Sequence, residues 1–161
     1  MAKFDKLDRD IMVYLQQDGR MQSSKIADRL QISERTVRNR IDRLVKNHAI
    51  HPTIVVNWKA FGYQTAVDIF LEVELPRMNE IGEALRQQPE VNYIAFSTGD
   101  QDISIQAVLK SNDDLQNFIQ RLSEIPGIRR TKTVLVPRIN KHTHDWIPPI
   151  EDFHPYIKKE K

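Results

Sequence analysis

Apolar residues recur at Leu7, Ile11, Met12 and Leu15, the spacing of one face of a helix. Asp18-Gly19-Arg20 ends that helix, because glycine readily takes a left-handed C-cap conformation. Ile26, Ala27 and Leu30 mark a shorter helix, Lys25 to Leu30, with Ser23 or Ser24 as its capping hydroxyl. After Gln31-Ile32, Ser33 caps a longer helix running to about Asn47. Three helices with a short turn before the last predict a helix-turn-helix. From Ile50 to Val56 β-branched residues take over, and Pro52 excludes helix.

Beyond the aromatic-bearing linker Asn57-Trp58-Lys59-Ala60-Phe61-Gly62 the period drops to two. Val67, Ile69, Leu71, Val73 and Leu75 alternate with Asp68, Phe70, Glu72 and Glu74, a strand stopped by Pro76. Met78, Ile81 and Leu85 predict a helix ending before Pro89. Strands over Val91–Thr98 and Ile103–Lys110 are joined by the tight hairpin Gly99-Asp100-Gln101-Asp102. Ser111-Asn112-Asp113-Asp114 caps a helix with Leu115, Phe118, Ile119, Leu122 and Ile125 inside, and Ile128–Pro137 is the last strand. The order is βαββαβ: an α+β fold with helices on one face of an antiparallel sheet, leaving an apolar face exposed for an interface. The chain thus divides into a helix-turn-helix domain (1–50), a linker strand (51–64), a sheet domain (65–140) and a tail with Pro and His (141–161).

The third helix can be laid out at about 100° per residue with Ile41 at zero. Val37, Leu44 and Val45 fall within roughly 60° of it and form the buried stripe. Arg35, Thr36, Asn39, Arg43 and Lys46 point outward, with Arg38, Arg40 and Asp42 on the flanks. Arg pairs with guanine, Asn with adenine, and Thr with a thymine methyl, so this face suits a major groove. The N-terminal end of such a helix meets base edges, which makes Arg35, Thr36 and Asn39 the base readers. Arg38, Arg40, Arg43 and Lys46 are the phosphate contacts, with the helix starts at Ser24 and Ser33.

Charge supports the division. Residues 1–60 hold 12 Lys and Arg against 7 Asp and Glu, whereas residues 61–161 hold 12 against 15. A basic half beside an acidic half fits a polyanion partner for the first and a separate task for the second. Cysteine is absent, which removes disulfides, thiolate catalysis and zinc fingers and fits a reducing cytoplasm. No apolar run approaches the ~20 residues of a membrane span, and the opening segment lacks the apolar core of a signal peptide. The expected location is cytoplasmic, with the nucleoid.

These residues resemble the Lrp/AsnC family of transcriptional regulators. The resemblance is carried by Leu7-Asp8-Arg9-Asp10-Ile11, Asp18-Gly19-Arg20, Ile26-Ala27, Ser33, Thr36-Val37, Arg40-Ile41, Arg43-Leu44 and Ile50. It continues through Asn57, Gly62-Tyr63, Gly99-Asp100, Asp102, Ile125-Pro126-Gly127-Ile128, Thr131 and Thr133, covering about residues 7–140. It implies a winged helix-turn-helix followed by a βαββαβ ferredoxin-like (RAM-type) domain, sheet-to-sheet dimers, assembly into tetramers or octamers, and a small effector, usually an amino acid. The effector site it implies is the hairpin Thr98, Gly99, Asp100, Gln101 and Asp102. There Gly99 would let backbone N–H groups approach a carboxylate and Asp100 or Asp102 would receive an ammonium group. Plain turn chemistry accounts for the same residues equally well. The chain departs from the family at Gln31 and Ala49, where glycine is usual, and at Gln101, where an aromatic residue is common.

The resulting expectation is a sequence-specific DNA-binding regulator, modulated by an amino-acid effector, with no cofactor, metal or catalytic role. Alternatives are an effector-independent or partner-modulating relative, or an enzyme like the sirohaem decarboxylases, which share the layout. The outward Arg35/Asn39/Arg43 face argues against the partner-modulating reading. Residues 61–140 contain no histidine, and no phosphate loop or nucleophile elbow occurs, which argues against the enzyme. His142, His144 and Asp145 offer a possible ligand set, against the plainer reading of a solvated, Pro-rich tail.

Overall fold

α1 (Lys6–Gln17) starts where Asp5 and Asp8 each accept the other's backbone N–H, a closed capping box. α2 (Ser23–Leu30) is capped by Gln22 without a side-chain bond, so Ser23 and Ser24 lie inside its first turn instead of capping it. Gln31 closes α2 in the left-handed conformation, φ 52°, a region that favours glycine. Ser33 caps α3 (Glu34–Lys46), its hydroxyl accepting the Thr36 N–H at 3.1 Å. After α3 the left-handed residue is His48, not Ala49, so alanine at 49 carries no such strain.

The computed structural model describes residues 4–157. The chain forms two units, one combining the described residues up to Val55 with those from Lys141 onward, the other running Val56–Asn140. Leu7, Ile11, Ile26, Ala27 and Val37 make the first core of the helical unit. No strand forms across residues 50–57, so the helix-turn-helix carries no β-wing and the expected linker strand is absent. The reason is local. Pro52 lacks an N–H, and Ile54, Val55 and Val56 are exposed with no strand beside them to pair with. A short 3-10 turn, Trp58–Phe61, follows. The tail does not stand apart: Phe153 packs with Met12 of α1 and Leu44 of α3.

In the second unit β1 (Thr65–Val73), α4 (Met78–Arg86), β2 (Val91–Phe96), β3 (Ile103–Leu109), α5 (Asn112–Ser123) and β4 (Ile128–Leu135) follow in the expected βαββαβ order. The antiparallel sheet has the order β2-β3-β1-β4. Val67, Ile69, Leu71 and Val73 meet Ile103, Ile105, Ala107 and Leu109 on one face, under Ile81, Leu85, Phe118 and Leu122 of the helices. α4 approaches the sheet closely at Gly82, where a Cβ would lie 2.7 Å from the Phe96 ring. The expectation of an apolar opposite face needs correction. The register places Phe70, Tyr93, Val108 and Val134 there among Asp68, Glu72, Ser104, Gln106, Arg130 and Lys132, a surface of mixed apolar and polar residues.

Candidate nucleic-acid interface

α3 positions the predicted interface. Val37 and Leu44 are fully buried, whereas Val45, expected in the stripe, is 38% exposed. The true buried axis therefore lies between Val37 and Leu44, about 50° from Ile41 on the side of Arg40. That rotation turns Arg40 inward and sets Arg35, Asn39 and Lys46 almost opposite the core. Arg35, Asn39 and Lys46 are exposed, and among the described residues none of the three side chains is held by an ion pair. Thr36 is half-buried and its hydroxyl shares a 2.7 Å hydrogen bond with Ser33. Arg38 is exposed and reaches one turn back to Glu34 at 2.5 Å.

Arg40 and Arg43 were expected at phosphates, and the structure gives them other partners. Arg40 Nη1 lies 2.6 Å from Asp5 and 3.0 Å from Asp8, and its side chain is only 19% exposed. Arg43 pairs with Asp8 from the other side and keeps a side chain 42% exposed. The guanidinium carbons stack at 5.4 Å over the Tyr156 ring and 5.9 Å over the Phe4 ring respectively. Burial disfavours charge on both Asp5 and Arg40, but the hydrogen bonds and attraction between them outweigh it. The Asp5 pKa is lowered and that of Arg40 raised. Asp8 is fully buried and accepts from both guanidinium groups and from the Asp5 N–H, so its charge is matched.

Two features of this region escape a reading by periodicity: Asp8 as buried counter-ion, and the tail residues Phe153 and Tyr156. The signal for Asp8 is its place in the apolar stripe, three and four residues before Ile11 and Met12. Ser24 sits in the first turn of α2 and Ser33 at the cap of α3, where backbone N–H groups lack intrahelical partners.

The hairpin expected to hold an effector spans 97–102 and is closed by Ser97 donating to the Asp102 carbonyl at 2.8 Å. Gly99 adopts φ 127°, open to few other residues. Thr98, Gly99 and Asp100 are exposed, and Gln101 and Asp102 half-buried. Asp102 is already engaged. Its Oδ2 accepts the Val73 N–H at 2.8 Å, at the bulge where β1 changes register against β4. His142 and His144 stack at 4.7 Å and Asp145 accepts the His142 backbone N–H, a local turn.

No helix among the described residues is long and apolar enough to cross a membrane. The AsnC-type helix-turn-helix domain model matches residues 4–45, and the Lrp/AsnC ligand binding domain model matches 67–146. An uncharacterised HTH-type transcriptional regulator of Pyrococcus horikoshii is 34% identical over 87% of this chain and 90% of its own. E. coli AsnC superposes with a TM-score of 0.80 at 24% identity, over 88% of this chain and 97% of its own. A Neisseria meningitidis transcriptional regulator solved with L-Met superposes with a TM-score of 0.82 at 21% identity, over 90% and 97%. With a helix-turn-helix that carries a basic outward face, a four-stranded βαββαβ unit and matches to both parts, the chain belongs to the Lrp/AsnC family of transcriptional regulators.

Proposed function

We propose that this regulator binds duplex DNA sequence-specifically, with Arg35, Thr36 and Asn39 at base edges and Ser24, Ser33, Arg38 and Lys46 at phosphates. The observation that carries it is the outward, unpaired display of Arg35, Asn39 and Lys46 directly opposite the core of α3. Arg40 serves the fold instead, and Arg43 divides between Asp8 and solvent. Two copies related by a twofold would read two half-sites, because one helix covers too little of a duplex for tight binding. The open sheet face suits such a pairing. It leaves Asp68 Oδ1, between Gln106 and Val134 in the register, buried without a hydrogen-bond partner. Further association of such dimers into tetramers or octamers belongs to the same reading.

The sheet unit takes a small effector, an amino acid, at Thr98–Asp102. The match to a ligand binding domain and the L-Met complex of the Neisseria relative support this. Gly99 and Asp100 supply the free groups, with Asp102 holding the loop in place. The DNA reading is tested by measuring duplex affinity against salt. A log–log slope of several units for a duplex enriched from a random pool, with weak binding to a scrambled one, supports it. Equal affinity for both duplexes contradicts it. A thermal-shift screen of the twenty amino acids tests the effector, since a ligand of the native state raises the melting point. A hit lost in Asp100→Ala supports the hairpin, and a hit retained there moves the site elsewhere.

A further inference from the structure

The C-terminal segment runs along α1 from its last turn to its cap. Gln16 Nε2 donates to the His144 carbonyl at 3.1 Å and Arg9 Nε to the Pro148 carbonyl at 3.4 Å. At the start of α1, His154 donates to the Phe4 carbonyl at 3.0 Å and accepts from Lys6 at 2.9 Å, a parallel bridge beside Asp5. Phe153 is 7% exposed in a cluster with Met12 and Leu44, bordered by Phe4, Ile50 and Ile147. Tyr156 packs against the first helical core and lies under the Arg40 guanidinium. The segment therefore touches both α1 and α3. The ligand binding domain model ends at residue 146, before Phe153, His154 and Tyr156.

The sheet unit is consequently an insertion between two segments of the DNA-binding unit. Its two connections leave the sheet side by side, where Val136 donates to the Ala66 carbonyl at 2.8 Å. A three-helix core of five buried residues is small, and units of ~60 residues are marginal alone. The second cluster, built with Phe153, adds Met12 and Leu44 to the contacts that Val37, Arg40 and Arg43 of α3 already make with α1.

We propose that residues 144–157 are a positioning strap for DNA reading: Phe153 and Tyr156 fix α3 on α1, and so fix the direction in which Arg35 and Asn39 project. The proposal rests on α3 as the reading helix. The experiment compares Phe153→Ala, Phe153→Leu and Tyr156→Leu in the full chain, on a duplex enriched from a random pool by the wild-type protein and on a scrambled duplex. At a temperature where hydrogen exchange still shows α1–α3 protected, Phe153→Ala weakens binding about tenfold and narrows the preference for the enriched duplex. Phe153→Leu, which refills most of the volume, restores both to within about twofold. Tyr156→Leu shifts both quantities in the same direction by less, and decides the matter if Phe153→Ala does not fold. Wild-type affinity and preference in a folded Phe153→Ala or Tyr156→Leu protein, or tighter binding once the strap is loosened, overturns the proposal. Asn39→Ala, run alongside, separates the two ideas. If it leaves base preference intact while Phe153→Ala weakens binding, the reader assignment fails and the strap stands.

Discussion

In the Val56–Asn140 unit the buried core is aliphatic and aromatic throughout, four residues of β1 and four of β3 under two helices. In the helical unit the interior includes a full charge: Asp8, the buried charged residue among those described, holds Arg40 and Arg43 at the edge of two small apolar clusters. The difference follows from what each unit displays. A helix that offers cations to a polyanion carries them around much of its circumference, and those on the inner flank need counter-ions. A sheet unit has no such demand, and its polar residues collect on the open face. One helix thus carries two kinds of arginine: Arg35 faces outward, and Arg40 belongs to the fold.

Loss of the Asp8 counter-ion should cost the helical unit most. Asp8→Ala leaves two partly buried guanidinium groups without their shared partner, and should cost about 3–5 kcal/mol in the helical unit alone. Native-state hydrogen exchange reads this as lost protection at Ile11 and Leu44 with Ile69 and Ile105 unchanged. Equal loss in both units would mean that the ion cluster has no such local role.

Acid sharpens the contrast. The Asp5 pKa is lowered in the fold, so its stabilising contribution is complete above the usual carboxylate range and is lost as pH falls through the lowered value. The sheet unit also holds lowered carboxylates: Arg86 brings Glu83 to about 2 and Arg77 lowers Glu80. Both glutamates lie exposed on α4, where salt screens their pairs. Melting each unit between pH 5 and 2 should show acid loss that added salt reduces in the sheet unit far more than in the helical unit. The same salt response in both would contradict this.

The next effect is at Asp102. Asp102→Ala leaves the Val73 N–H without its acceptor at the bulge and should destabilise the sheet unit by about 1–3 kcal/mol, in chemical denaturation without any amino acid present. An unchanged midpoint would free Asp102 for a ligand role only. The smallest effect is Gln31→Gly, which relieves a left-handed non-glycine residue and should raise the helical unit's stability by less than about 1 kcal/mol.

Much of this was legible in the chain. The period change near residue 65 marks the start of β1, and Ser33, Pro76 and Gly127 mark element ends that the structure keeps. Register and rotation were not. A count of apolar positions centres α3 on Ile41, and only packing against α1 and the tail shows that Val45 is out and Arg40 in. The contact of Phe153 with Leu44 spans most of the chain, so no local pattern encodes it. The β-branched run 53–56 carries strand propensity with nothing in its own chain to pair with, and propensity alone does not make a strand. Asp102 reads as turn chemistry until the bulge beside Val73 shows what its carboxylate holds.

The central claim is that the two sides of α3 have different duties. It is tested most directly by measuring the affinity of wild type, Asn39→Ala, Lys46→Ala and Arg40→Ala on a panel of duplexes carrying every single-base change in the enriched site. Asn39→Ala should flatten preference at one or two positions by about 1–3 kcal/mol, and Lys46→Ala should lower all affinities alike. Arg40→Ala should destabilise the helical unit in the same protein sample. A folded, fully stable Arg40→Ala protein that loses base preference, beside an Asn39→Ala protein that keeps it, would contradict the claim.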